Sequence, residues 1–207
     1  MTTSVKQKAK IAAWAVLAAA VATAPVTVSA ASQTANTTIN ATVNAIISMS
    51  TASPVALSLT PSGGGVVTSA SDTVTVNTNN SAGYNLTVAD SDATTTLVSG
   101  SDTFTATSGT KAAPIALTNG TWGFAVATST PGIGTNGFDA SYSVENNNTS
   151  STSTWAGMPA SGSPMLLKST TTTAANDTTT VWYAARAAVT QPTGTYTDTV
   201  TYTATTN

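Results

Sequence analysis

From Ile39 to Ala204, apolar side chains fall on every second residue in one segment after another. A helix repeats about every 3.6 residues and a strand every two, so this placement demands extended chain with one oily face. Ile39, Ala41, Val43, Ala45, Ile47 and Met49 share a face, with Thr38, Asn40, Thr42, Asn44 and Ser48 opposite. Val55, Leu57 and Leu59 repeat the pattern after Pro54. Val74 and Val76 precede the turn residues Asn79–Gly83, and Tyr84, Leu86 and Val88 follow them, so this pair predicts a β-hairpin with a longer loop. Further strands are expected at Phe104–Ala106, Ile115–Leu117, Trp122–Val126, Phe138–Val144, Met165–Leu167, Val181–Val189 and Tyr196–Tyr202. Residues 145–163 and the Thr-rich 169–180 are expected as loops. About nine to eleven short strands separated by turn residues specify an all-β fold, a β-sandwich of immunoglobulin-like or jelly-roll-like kind. The chain is biased toward Thr, Ser, Asn, Ala, Val and Gly, and among these Thr and Val are β-branched and suit such strands.

The first 30 residues follow a different logic. Lys6, Lys8 and Lys10 precede the unbroken apolar run Ile11–Val21, and Val28-Ser29-Ala30 places small residues behind it. This three-part pattern predicts a signal-peptide helix over 1–30, with cleavage near Ala31 and a single sandwich domain over 31–207. The run is shorter than the ~20 residues that a spanning helix needs, so no membrane attachment is expected after cleavage. Beyond residue 30, Lys111, Lys168 and Arg186 stand against eight acids, a net charge of −5. Three dispersed cations cannot neutralise a row of phosphates, which argues against a nucleic-acid partner.

Composition also restricts chemistry. There is no His and no Cys. The commonest general acid–base group is missing, a Ser-His-Asp triad cannot be built, and Cys/His zinc sites are excluded. No catalytic residue and no cofactor are expected. Asp90, Asp92 and Asp102 flank one loop, where Asp90-Ser91-Asp92 is a weak calcium candidate set beside the simpler expectation of a solvated turn. Lys111 or Lys168 could join an Asn in an isopeptide crosslink promoted by a buried acid, or simply sit at a strand end. Sequons at Asn36, Asn85 and Asn119 matter only where the host glycosylates exported proteins. Trp122, Phe124, Phe138, Tyr142, Trp182 and Tyr183 are expected in or beside the core. Trp155 and Trp182 are the candidates for a carbohydrate-stacking platform, Trp155 as an isolated apolar point in a polar loop and Trp182 opposite Val181 and Tyr183.

Asp72–Asn77 leading to Ala82–Val88 resembles the hairpin of WxL-type cell-wall-binding domains, and Trp122-Gly123-Phe124 and Val181-Trp182-Tyr183 lie roughly where that family carries its tryptophan motifs. Pro192–Tyr202 resembles the closing strand of WxL-like domains and of pilin-like or spore-coat-U-like secreted sandwiches. No literal Trp-x-Leu occurs, and the pilin-like cysteine pair is missing. The resemblance implies an exported, non-enzymatic surface protein with a structural, adhesive or wall-associated role. Its expected partners are wall glycan or other surface proteins, or further copies joined through an edge strand over about residues 36–49.

Overall fold

A computed structural model describes residues 29–52 and 54–207. The expected signal peptide over 1–30 lies almost wholly outside the described residues. Thr42–Asn207 forms one compact unit. It is all-β, with nine strands and, among the described residues, no helix long and apolar enough to cross a membrane.

The spine is a pair of long antiparallel strands, β2 (Val66–Thr78) and β8 (Ala174–Ala187), in register from Val66↔Ala187 to Thr78↔Ala174 with a bulge near Val76. Four short strands complete a six-stranded sheet in the order β1-β2-β8-β6-β5-β4: β1 (Ile47–Ser50), β4 (Thr96–Ser99), β5 (Asp102–Ala106) and β6 (Thr121–Ala125). β3 (Tyr84–Asp90), β7 (Met165–Ser169) and β9 (Val200–Thr206) make a second sheet in the order β7-β3-β9. Only β5 and β6 run parallel.

Both sheets give one core the oily sides that the alternation set out. Val74, Val76 and Val181 on one sheet and Tyr84, Leu86, Val88 and Leu167 on the other are buried. Their alternate neighbours turn outward, as Thr201, Thr203 and Thr205 do on β9. Burying a valine or leucine contributes about 1.5–3 kcal/mol, so this shared core supplies the main drive for the fold.

The expected hairpin is corrected. β2 pairs with β1 and β8, and β3 pairs with β7 and β9, so Asn79–Gly83 carries the chain from one sheet to the other. Gly83 has φ +83°, and a Cβ there would meet the Thr170 carbonyl oxygen at 2.3 Å, which is why this crossing needs glycine. The strand expected at Phe138–Val144 is also absent. Its backbone bonds go to scattered partners, with Thr128 N donating to Asp139 O and Ser69 N to Glu145 O, while Val144 is exposed. β8 starts at Ala174, inside the segment expected to be a loop. Residues 29–46 carry no strand, so the edge strand expected over 36–49 shortens to Ile47–Ser50.

Candidate functional site

A largely apolar groove of about 1230 Å3 lies on the inner face of the six-stranded sheet. Its floor is Leu97, Phe104, Trp122, Tyr183 and Ala185, and the chain from Pro192 to Tyr202 forms one wall. The other cover is a strap, Pro54–Thr60. It lays Val55, Leu57 and Leu59 inward, each half-buried, and turns Pro54, Ala56, Ser58 and Thr60 outward. The alternation is that of a strand, yet among the described residues the strap makes no backbone–backbone hydrogen bond. It is held by side chains: Thr68 Oγ1 donates to Ser58 O at 3.2 Å, and Thr60 N donates to Asn147 Oδ1 at 2.6 Å. Pro54 and Pro61 bracket it, and each lacks the N–H that a ladder would use at its position. Sequence reasoning found the strap's inward face but missed its role, for which the flanking prolines were the available signal.

Polar groups line much of the groove's Pro192–Tyr202 wall; Asp72, Tyr183 and Tyr202 are engaged, whereas Asp198 Oδ2 is buried without a hydrogen-bond partner. Asp72 Oδ1 accepts from Ala52 N at 2.8 Å. The Tyr183 and Tyr202 hydroxyls, one from each sheet, share a hydrogen bond of 2.5 Å. Burial raises both phenols above their ordinary range, so both stay protonated and neither is a ready base or nucleophile. The groove therefore offers apolar surface beside an end strand. β9, which borders it through Val200–Tyr202, is the end strand of its sheet.

The two tryptophans singled out as a platform part company. Trp155 is 1% exposed, packs its ring on Tyr142 at 5.2 Å between centroids, and bridges through its backbone to Ile115. It is a core residue and has no face to give a sugar, which corrects its place in a platform. Trp182 lies half-buried on the outer face of β8 beside Ala125.

Asp90 and Asp92 belong to a local network. Asp92 N donates to Asp90 Oδ1 at 3.1 Å, and Thr94 N donates to Asp92 Oδ1 at 2.6 Å, the self-bonding expected of a turn. Asp102 starts β5, in a different sheet from β3. No group of three or more acids is placed to hold a metal ion among the described residues. What the sequence did not disclose is Asp198, which the chain brings beside Asp90 ahead of β9. Burial, with the neighbouring Asp90 and Asp92 carboxylates, pushes Asp198 up to about 6 against the bond that Thr199 N gives it. An acid whose folded pKa is raised holds a proton that the unfolded chain has released. The contribution of Asp198 to stability is therefore fully present below about pH 4 and is lost as pH rises through about 6. Melting temperature is expected to drop across that window, and Asp198→Asn to flatten the drop. An unchanged slope in the variant would show that other groups set it.

The lysines considered for a crosslink are engaged otherwise. Lys111 Nζ donates to the carbonyls of Ile133 and Leu166 at 2.8 and 2.7 Å, and burial lowers its pKa. Lys168, 3% exposed, pairs with Asp177 at 2.5 Å, and Tyr84 Oη donates to the same carboxylate at 2.7 Å. Among the described residues neither amine has an asparagine side chain as its hydrogen-bond partner. No protein-family model, curated protein or solved structure matches the chain.

Proposed function

We propose that this chain is an exported, non-enzymatic β-sandwich of a bacterial envelope, with a structural or attachment role exercised through its groove. The observation that carries the proposal is the match between concavity and extended chain. The groove is largely apolar, bordered by an end strand, and covered on its other side by a strap with strand-like alternation and no ladder. Addition of an extended segment to a sheet edge is a general mode of protein association, with alternate side chains entering the apolar surface. The lack of His and Cys, and the engagement of Asp72, Tyr183 and Tyr202, favour binding over catalysis. Export is supported by the Lys-rich start, the apolar run and Val28-Ser29-Ala30.

Fractionation of the producing cells tests this. The protein is expected in the envelope fraction with a new N-terminus near Ala31. Recovery from the cytosol with residues 1–30 intact would end the proposal. A second function, binding of wall glycan, is favoured by one observation, the incomplete burial of Trp182 on the outer face of β8. Pull-down on purified wall separates the two: Trp182→Ala abolishes retention if the ring stacks on sugar and leaves it unchanged if the groove is the attachment surface.

A further inference from the structure

Building on that envelope role, we propose that the groove of one molecule receives residues 38–46 of a second copy of this chain, which displace the strap Pro54–Thr60. Four features of the molecule lead there.

The first is the arm itself. Ile39 and Val43 are 88% and 84% exposed. Their face, with Ala41 and Ala45, continues in phase into Ile47 and Met49 of β1. There the same face turns to the interior: Ile47 packs on the core and Met49 lines the groove. The arm thus carries a strand's inward face with no interior to meet.

The second is the lack of a strand beside it. β1 pairs with the last residues of β2, ending at Ile47↔Thr78. Residues 42–46 run past that end, where side chains stand in for a ladder: Ile46 N donates to Asn79 Oδ1 at 2.8 Å, Thr78 Oγ1 donates to Ile46 O at 2.7 Å, and Asn79 Nδ2 donates to Asn44 O at 2.9 Å.

The third is charge. Exposed strands are ordinarily protected from pairing with other chains by charged residues or proline. From Ala31 to Ser71 there is no Asp, Glu, Lys or Arg, and from Ala31 to Ser53 there is no proline. Nothing in the arm opposes its addition to a sheet.

The fourth is the exchange that the groove allows. The strap offers three inward apolar residues between two prolines and no ladder bonds. The arm offers Ile39, Ala41, Val43 and Ala45 at the same spacing, with an N–H at every position, beside the end strand β9. Backbone pairing on that edge is what the arm gains over the strap. Because every copy carries both arm and groove, the contact passes from copy to copy into rings or open chains, or is exchanged reciprocally within a pair.

Isotope-resolved crosslinking tests the proposal. A photo-reactive benzoylphenylalanine replaces Val43, and processed protein grown in 15N medium is mixed with protein grown in 14N. Mixed-isotope crosslinks are expected on residues 97–104, 183–187 or 192–202, together with sedimenting species larger than a monomer. Val43→Asp places a charge on the arm's apolar face and is expected to weaken self-association by about tenfold or more. Because Val43 is 84% exposed, the same variant is expected to keep the parent melting temperature, which separates lost association from lost folding. Crosslinks within one isotope only, crosslinks outside the groove, or parental self-association of Val43→Asp would each overturn the proposal. A monomer that still fractionates with the envelope sinks this inference and leaves the envelope role standing, whereas cytosolic protein that still forms mixed-isotope crosslinks does the reverse.

Discussion

Trp155→Ala is expected to lower stability by about 3–5 kcal/mol in urea unfolding, the range for removing a large aromatic from a core. Trp155 is among the largest fully buried side chains, in a part of the chain where sequence suggests only an exposed loop. Its surroundings cannot close over the loss. Gly109 and Gly123 are pressed against it so tightly that a Cβ on Gly109 would meet the Trp155 carbonyl oxygen at 2.2 Å, and one on Gly123 would meet the Trp155 Cβ at 3.1 Å. Tyr142, whose hydroxyl donates to Thr154 O at 2.8 Å, holds the other side of the ring. Trp155→Phe separates apolar volume from the indole N–H. That N–H is buried without a hydrogen-bond partner, so deleting it removes a desolvated donor and offsets part of the lost packing. The Phe variant is expected to lose well under half of what Ala loses. If Trp155→Ala unfolds at the parent urea midpoint and instead loses wall retention, the residue is a binding platform after all and its assignment to the core is wrong.

The contrast between Trp155 and the strands around it shows what a sequence of this kind discloses. Period-two alternation determines which side of an extended chain is oily, and it does so locally. Val74, Val76, Tyr84, Leu86, Val88 and Val181 accordingly point inward as expected. Alternation does not name the neighbouring strand. Asn79–Gly83 joins two alternating segments in the manner of a hairpin, but each segment pairs with distant chain, β2 with β8 about a hundred residues on. Nor does alternation guarantee a ladder. Val55, Leu57 and Leu59 lie inward along a strap, bracketed by prolines, that makes no backbone–backbone bond among the described residues. The groove was illegible for that reason: it forms where the inner face of one sheet extends beyond the cover of the other. Trp155 was illegible for another. An isolated aromatic among Ser, Thr and Gly has no periodicity, and its burial depends on glycines at 109 and 123 that mean nothing until the chain is folded.

Asp177→Ala is expected to cost about 3–5 kcal/mol, as for other buried ion pairs that lose one member. The pair spans the two sheets, since Lys168 lies on β7 and Asp177 on β8. Tyr84 Oη, from β3, closes the cluster on the second carboxylate oxygen. In a chain without cysteine, this cluster and the Tyr183–Tyr202 bond are polar ties between sheets that otherwise meet through apolar packing. Removing the carboxylate strands an ammonium that is 3% exposed and leaves the Tyr84 hydroxyl without its acceptor. Removing the lysine is a milder change. Asp177 keeps 28% exposure and the Tyr84 bond, so Lys168→Met, which fills the same volume with apolar atoms, is expected to stay within about 1–2 kcal/mol of the parent. The double variant is expected to recover most of the loss of Asp177→Ala, because no buried ammonium remains to be stranded. Urea unfolding of the four proteins gives the coupling directly. If the two single losses simply add in the double variant, the ion pair does not hold the sheets together, and the stability of this end of the molecule comes from Tyr84, Leu86 and Leu167 alone.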